Sequence, residues 1–148
     1  MLLRPIARCS RTADRTRGQA LVEFALVFPL FVLLLFGLVD LGRLAYINNA
    51  IAEAAREGAR WGTVQGRSIS AADRTNIAAK TKTLMAAVPN PTVTVTCEDV
   101  HGTARSTCTK DNILVVRVDT TVSMLTPVIG QLVGPRTFTA ISRMVVNN

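Results

Sequence analysis

The 148 residues predict an α+β chain: a long N-terminal transmembrane helix that continues beyond the membrane and packs, with a short helix, on a small antiparallel sheet. Two observations carry this. From Ala25 to Val39 every residue is apolar, glycine or proline, and helix-forming residues run on without a break to about Trp61 or Gly62. After Pro91 the pattern changes to β-branched alternation, in TVTVTC (92–97), ILVVRVDTTVS (113–123) and RTFTAISRMVV (136–146).

Residues 1–17 form a leader with five arginines against one aspartate and no long apolar run. The rest of the chain has twelve basic and nine acidic residues, so more than half of the net charge of +7 sits in that leader. No later basic stripe with interleaved aromatics appears, which argues against a nucleic-acid partner.

The apolar run, extended back to Gln19 and on to Leu41, gives a helix long enough to cross a bilayer core of about 30 Å. The arginines in front place the leader in the cytoplasm and the chain after about residue 43 outside. A secretory signal would need a shorter apolar core and a small-x-small cleavage site behind it, whereas DLGRLAYINNA continues the helix. Pro29 removes the hydrogen bond to the carbonyl of Ala25 and predicts a kink.

One residue fits this segment poorly. Glu23 is an acid near the start of a membrane helix, next to Phe24. Intramembrane carboxylates generally have a functional partner. If the chain were cut after Gly18, the new ammonium of Gln19 would lie about one turn away, in the same chain or in a neighbouring subunit. A plain acid at a helix N-terminus, favoured by the helix dipole, is the alternative.

Beyond the membrane, Ala50, Ala54, Gly58 and Gly62 recur every four residues, which lets another helix or a sheet approach closely. Either the chain's own C-terminal domain or another subunit could fill that stripe. Glu53, Arg56, Glu57 and Arg60 form charge pairs on a solvated face, and Trp61 reads as an interfacial or packing anchor. GTVQGRSIS (62–70) reads as a loop, and residues 71–88 as a second helix capped by Ser70 with Asp73. Three strands follow, and MLTPVIGQLVGP (124–135) between the last two reads as a connection.

Cys97 and Cys108 flank EDVHGTARST between two strands. Outside the cytoplasm a disulfide there is stable, and it would contribute about 3 kcal/mol by loop entropy. The alternative is a metal site from Cys97, Glu98, Asp99, His101 and Cys108, but the spacing matches no zinc pattern. No metal and no cofactor are expected, and Cys9 lies in the leader.

RGQALVEFALVFPLFVLLLFGLVDLGR (17–43) resembles the start of a TadE-like minor pilin, or pseudopilin, of the Tad/Flp pilus assembly system. The peptidase pattern of that system, a glycine, four residues, then Glu followed by Tyr or Phe, falls on Gly18, Glu23 and Phe24. NAIAEAAREGARWG (49–62) is similar to the segment that follows the membrane helix in the family, and FTAISRMVV more loosely to its last strand. Two departures matter. About 85 residues follow the helix, which favours a minor pilin over the filament subunit, and Gln19 does not match the Phe usual after the cut in type IV systems.

The resemblance implies a pilin-like fold and cleavage between Gly18 and Gln19 by a membrane prepilin peptidase, with Glu23 and Phe24 serving recognition and assembly. Residues 1–18 are then a removed leader, 19–43 the transmembrane helix, 44–66 its extracytoplasmic continuation and 67–148 a small α+β domain. Partners would be the peptidase, other Tad/Flp subunits including a second minor pilin, and the membrane. The expected location is the cytoplasmic (inner) membrane, single-pass, with the pilus a further destination. Pilus assembly and surface attachment would be the role.

An enzyme is disfavoured: the sequence has no G-x-S-x-G elbow, no P-loop, no dinucleotide glycine pattern and a single histidine. The remaining alternative is an unprocessed, single-span membrane-anchored binding module. It differs from the pilin reading at Gly18, whose bulk matters only if a peptidase must reach it.

Overall fold

The computed structural model describes residues 12–65 and 68–147. The first eleven residues of the leader, Cys9 among them, lie outside that range. The helix α1 runs Thr12–Val64 and is about 80 Å long at 1.5 Å per residue. Its helical assignment passes unbroken through Pro29. Then follow α2 (Ala71–Thr83), β1 (Thr92–Glu98), β2 (Ala104–Arg105), β3 (Ile113–Val122), α3 (Pro127–Val133) and β4 (Arg136–Val145).

The strands form one antiparallel sheet in the order β2-β1-β3-β4. In register, Val118 lies between Val93 and Ala140, and Leu114 between Cys97 and Met144. This row carries the inner face: Leu114, Val116, Val118 and Val122 are fully buried. Arg117, Asp119 and Thr121 stand on the other face.

The outer half of α1 covers the sheet. Ile47, Ile51, Ala55 and Ala59 recur every four residues and are buried, as is Ala54. Ile77 and Met85 close the core beside them. The small-residue stripe has an intramolecular occupant. A Cβ at Gly58 would fall against the Thr81 hydroxyl and 3.2 Å from Thr81 Cβ and Cγ2. At Gly62 it would lie 2.5 Å from Leu114 Cδ2 and 2.8 Å from Ile77 Cδ1. Thr81 cannot swing aside freely, since it is buried and its hydroxyl donates to the Ile77 carbonyl at 2.8 Å. Gly62→Val therefore overpacks the joint and is expected to cost about 1–3 kcal/mol. A chemical-unfolding midpoint unchanged from wild type would mean that α1 does not dock on the sheet this tightly.

The structure corrects the sequence reading at several places. The sheet has a fourth strand, β2, whose two residues are too few to show a period. The second helix ends at Thr83, and Leu84, Met85 and Val88 continue in tighter turns, donating to the carbonyls of Thr81, Lys82 and Met85. The first helix runs to Val64, and Ile69, read as loop, is buried and pairs with Cys108 through both backbone bonds, at 2.9 and 3.1 Å. The connection 124–135 contains α3: Pro127 opens it, where the missing N–H costs nothing, and Gly134 at φ 70° ends it. At the start of α2, Ser70 and Asp73 form a reciprocal capping box.

Cys97 and Cys108 are joined by a disulfide, with Cα atoms 5.4 Å apart, and both are buried. The loop between them is organised by Asp99. Its Oδ1 accepts the N–H groups of His101 (2.9 Å) and Thr103 (2.8 Å), and its Oδ2 accepts from Arg105 at 3.0 Å. On the outer sheet face Asp119 accepts from Arg117 at 2.8 and 3.1 Å and from the Thr139 hydroxyl at 2.6 Å.

Both carboxyls are held below the usual carboxylate range, Asp119 chiefly by the Arg117 hydrogen bonds and Asp99 chiefly by the Thr103 N–H. A depressed folded-state value gives stability that is present above the unfolded value of about 3.9 and is lost as pH falls through the folded value. The domain is therefore expected to keep a constant melting temperature from pH 7 to about 5 and to lose stability below about pH 4. Asp119→Asn should flatten that acid limb. An identical limb in the variant would remove Asp119 from the account.

Candidate functional site

The site is the apolar half of α1, which the described residues leave largely exposed apart from the approach of α3 near Gly37 and Asp40. From Leu21 to Leu41 fifteen large apolar side chains are between 40 and 70 % exposed, and Val32 is half-buried among them. None of its most apolar 18-residue window is buried. By length and composition this helix can cross a membrane, and it fits a single-pass membrane protein. Fifteen exposed side chains of this kind in water would be a severe aggregation liability, which a lipid environment removes.

At the front of this surface stand the residues singled out in the sequence. Gly18 and Gln19 lie within the continuous helix, on its exposed side. Gly18, Gln19, Val22, Glu23 and Leu26 share one shallow groove along the helix. A glycine inside a helix costs about 1 kcal/mol relative to alanine. At Gly58 and Gly62 the close approach of the domain explains it, but a Cβ at Gly18 would meet nothing within 4 Å. Nothing among the described residues explains the small residue at Gly18.

Glu23 is exposed, and among the described residues no hydrogen bond or ion pair engages its carboxylate. Phe24 stacks on Phe28, one turn on, with ring centroids 5.2 Å apart. The arrangement supplies a small residue, an unengaged acid and an aromatic ledge on one exposed helix surface.

The other predicted positions fall elsewhere. Ala50, Ala54, Gly58 and Gly62 belong to the joint between α1 and the sheet domain. Glu53–Arg56 (3.8 Å) and Glu57–Arg60 (2.8 Å) are solvated ion pairs on the opposite side. Of the residues considered for a metal site, Cys97 and Cys108 are bonded to each other and Asp99 is occupied by its own loop.

One residue that ties the apolar helix to the domain had no such role in the sequence reading. Asp40, there only a boundary of the apolar run, is buried, and its carboxylate accepts the N–H of Leu125 at 2.9 Å and of Thr126 at 3.0 Å. One turn on, Arg43 Nη1 donates to the Ser123 carbonyl at 3.0 Å. These contacts fasten the start of α3 to the end of the apolar helix. The only sequence signal was a lone carboxylate closing an apolar helix, which does not reveal a partner 85 residues away.

Residues 18–60 match the model of the TadE-like protein family, so the resemblance holds over the segment that begins at Gly18. No curated protein and no solved structure gives a significant match to the chain.

Proposed function

We propose that this protein is a minor pilin, or pseudopilin, of a Tad/Flp-type pilus, anchored in the cytoplasmic membrane, cut by a prepilin peptidase between Gly18 and Gln19, and then assembled with other pilus subunits. The observation that carries the reading is Gly18: an unpacked glycine inside a helix, at the first residue of the TadE-like match, five residues ahead of an unengaged acid. The leader remains in the cytoplasm, and the domain formed by residues 67–148 stands outside, carried on the helical continuation 44–66.

On this reading the two halves of α1 do different work. The outer half is committed to its own domain, since its small residues are filled by Thr81, Leu114 and Ile77. The apolar half remains free to exchange lipid for neighbouring subunits when the protein enters a filament. In that setting Glu23 meets the Gln19 ammonium of an adjoining subunit, a charge pair strengthened by the surrounding apolar medium. Surface attachment follows as the role of the assembled pilus, and a second minor pilin is the expected companion.

The test of the assembly role is Glu23→Ala in the native host. The expected result is a cleaved protein at normal membrane abundance, with loss of the protein from the sheared pilus fraction and fewer pili. Normal piliation by the variant would contradict the assembly role of Glu23.

A further inference from the structure

The connection between β3 and β4 carries a second apolar surface. Residues 124–135 contain no charged side chain, and Leu125 and Leu132 are 62 and 87 % exposed. The segment does not project away from α1 but folds back along it. Ile129 Cδ1 lies 3.5 Å from where a Gly37 Cβ would stand. An apolar cleft of about 710 Å³ separates the two elements, lined by Leu33, Leu34 and Leu38 of α1 and by Ile129 and Val133 of α3. Leu33 is seven residues before Asp40, so the cleft reaches about 10 Å along the helix axis toward the membrane centre.

We infer that α3 is a membrane-inserted foot: the segment 124–135 is buried in the outer leaflet beside α1, and lipid acyl chains occupy the cleft and cover Leu125 and Leu132. The inference rests on the reading of α1 as membrane-spanning and adds a second contact to it. Three features point to lipid as the occupant. The cleft is continuous with the exposed apolar side of α1, where Leu34, Leu38 and Leu41 are each 65 % exposed. Polar groups bound the segment at both ends, Asp40 and Arg43 at its start and Arg136 at its end, as expected where a headgroup layer begins. The reach of about 10 Å is the depth at which interfacial helices sit. The foot would fix the tilt of the external domain against the membrane surface, because Asp40 and Arg43 join it rigidly to the anchor.

The experiment uses the full chain with Cys9→Ser in vesicles of phosphatidylethanolamine and phosphatidylglycerol. A single added cysteine at Leu132, Val27 or His101 carries an NBD fluorophore, and lipids brominated at shallow or deep acyl positions serve as quenchers. Leu132→Cys is expected to be quenched several-fold more strongly by shallow than by deep bromines. Val27→Cys should respond most to deep bromines and His101→Cys to neither. Quenching at Val27 without quenching at Leu132 overturns the foot while leaving the anchor intact. Absence of quenching at Val27 overturns the spanning reading itself, and with it the foot. Disulfide-linked dimers through unlabelled Leu132→Cys, without lipid quenching, would assign the cleft to a second copy and also overturn the inference.

Discussion

Gly18→Phe is expected to leave the protein at full length in its host's membranes and absent from pili, with an external domain that melts as wild type does. The two halves of this result follow from separate facts. The variant should fold, because a Cβ at position 18 meets no atom of the described residues within 4 Å and the nearest core residue, Ile47, is far along the helix. Alanine or phenylalanine would in fact raise the helix propensity there. It should fail in processing, because the phenyl ring would stand over the Gly18–Gln19 carbonyl that a peptidase must reach. Gly18→Ala gives the graded case, with slowed cleavage. Were Gly18→Phe cut and assembled normally, the glycine would have no role in processing, and the reading as an unprocessed anchored module would regain its ground.

Cys97→Ser is expected to be the most destabilising single change in the external domain. The bond closes a loop with a sequence separation of 11 residues, and its loss removes about 3 kcal/mol by loop entropy. At about 4–8 °C per kcal/mol for a domain of this size, the melting temperature should fall by about 12 °C or more. The cost reaches beyond the loop, because Cys108 also pairs with Ile69, the residue that leads from α1 into α2. Heating the detergent-solubilised full chain with and without a thiol reductant checks this. A reductant-insensitive transition would show that the core of Ile51, Ile77, Val116 and their neighbours suffices alone.

Much of this arrangement could be read from the sequence, for identifiable reasons. The apolar run 25–39 and the alternation in 113–123 are strong local patterns, and each produced the expected element. The Ser70–Asp73 cap was legible because both partners are within one turn. What escaped notice was short or held at long range. β2 is two residues, and α3 is seven with a proline and a glycine inside it, so neither shows a period. Asp40 gains its partners from a segment 85 residues later. The glycine, acid and aromatic at 18, 23 and 24 were visible as a pattern, but the structure adds that Gly18 has no packing reason to be glycine while Gly58 and Gly62 do.

The most direct test of the central claim is the N-terminal residue of the mature protein, recovered from its own host's membranes and mapped by intact mass and N-terminal peptides. The account predicts a start at Gln19 in the wild type and the full-length chain in a strain lacking the prepilin peptidase. A full-length N-terminus in the wild type would contradict it.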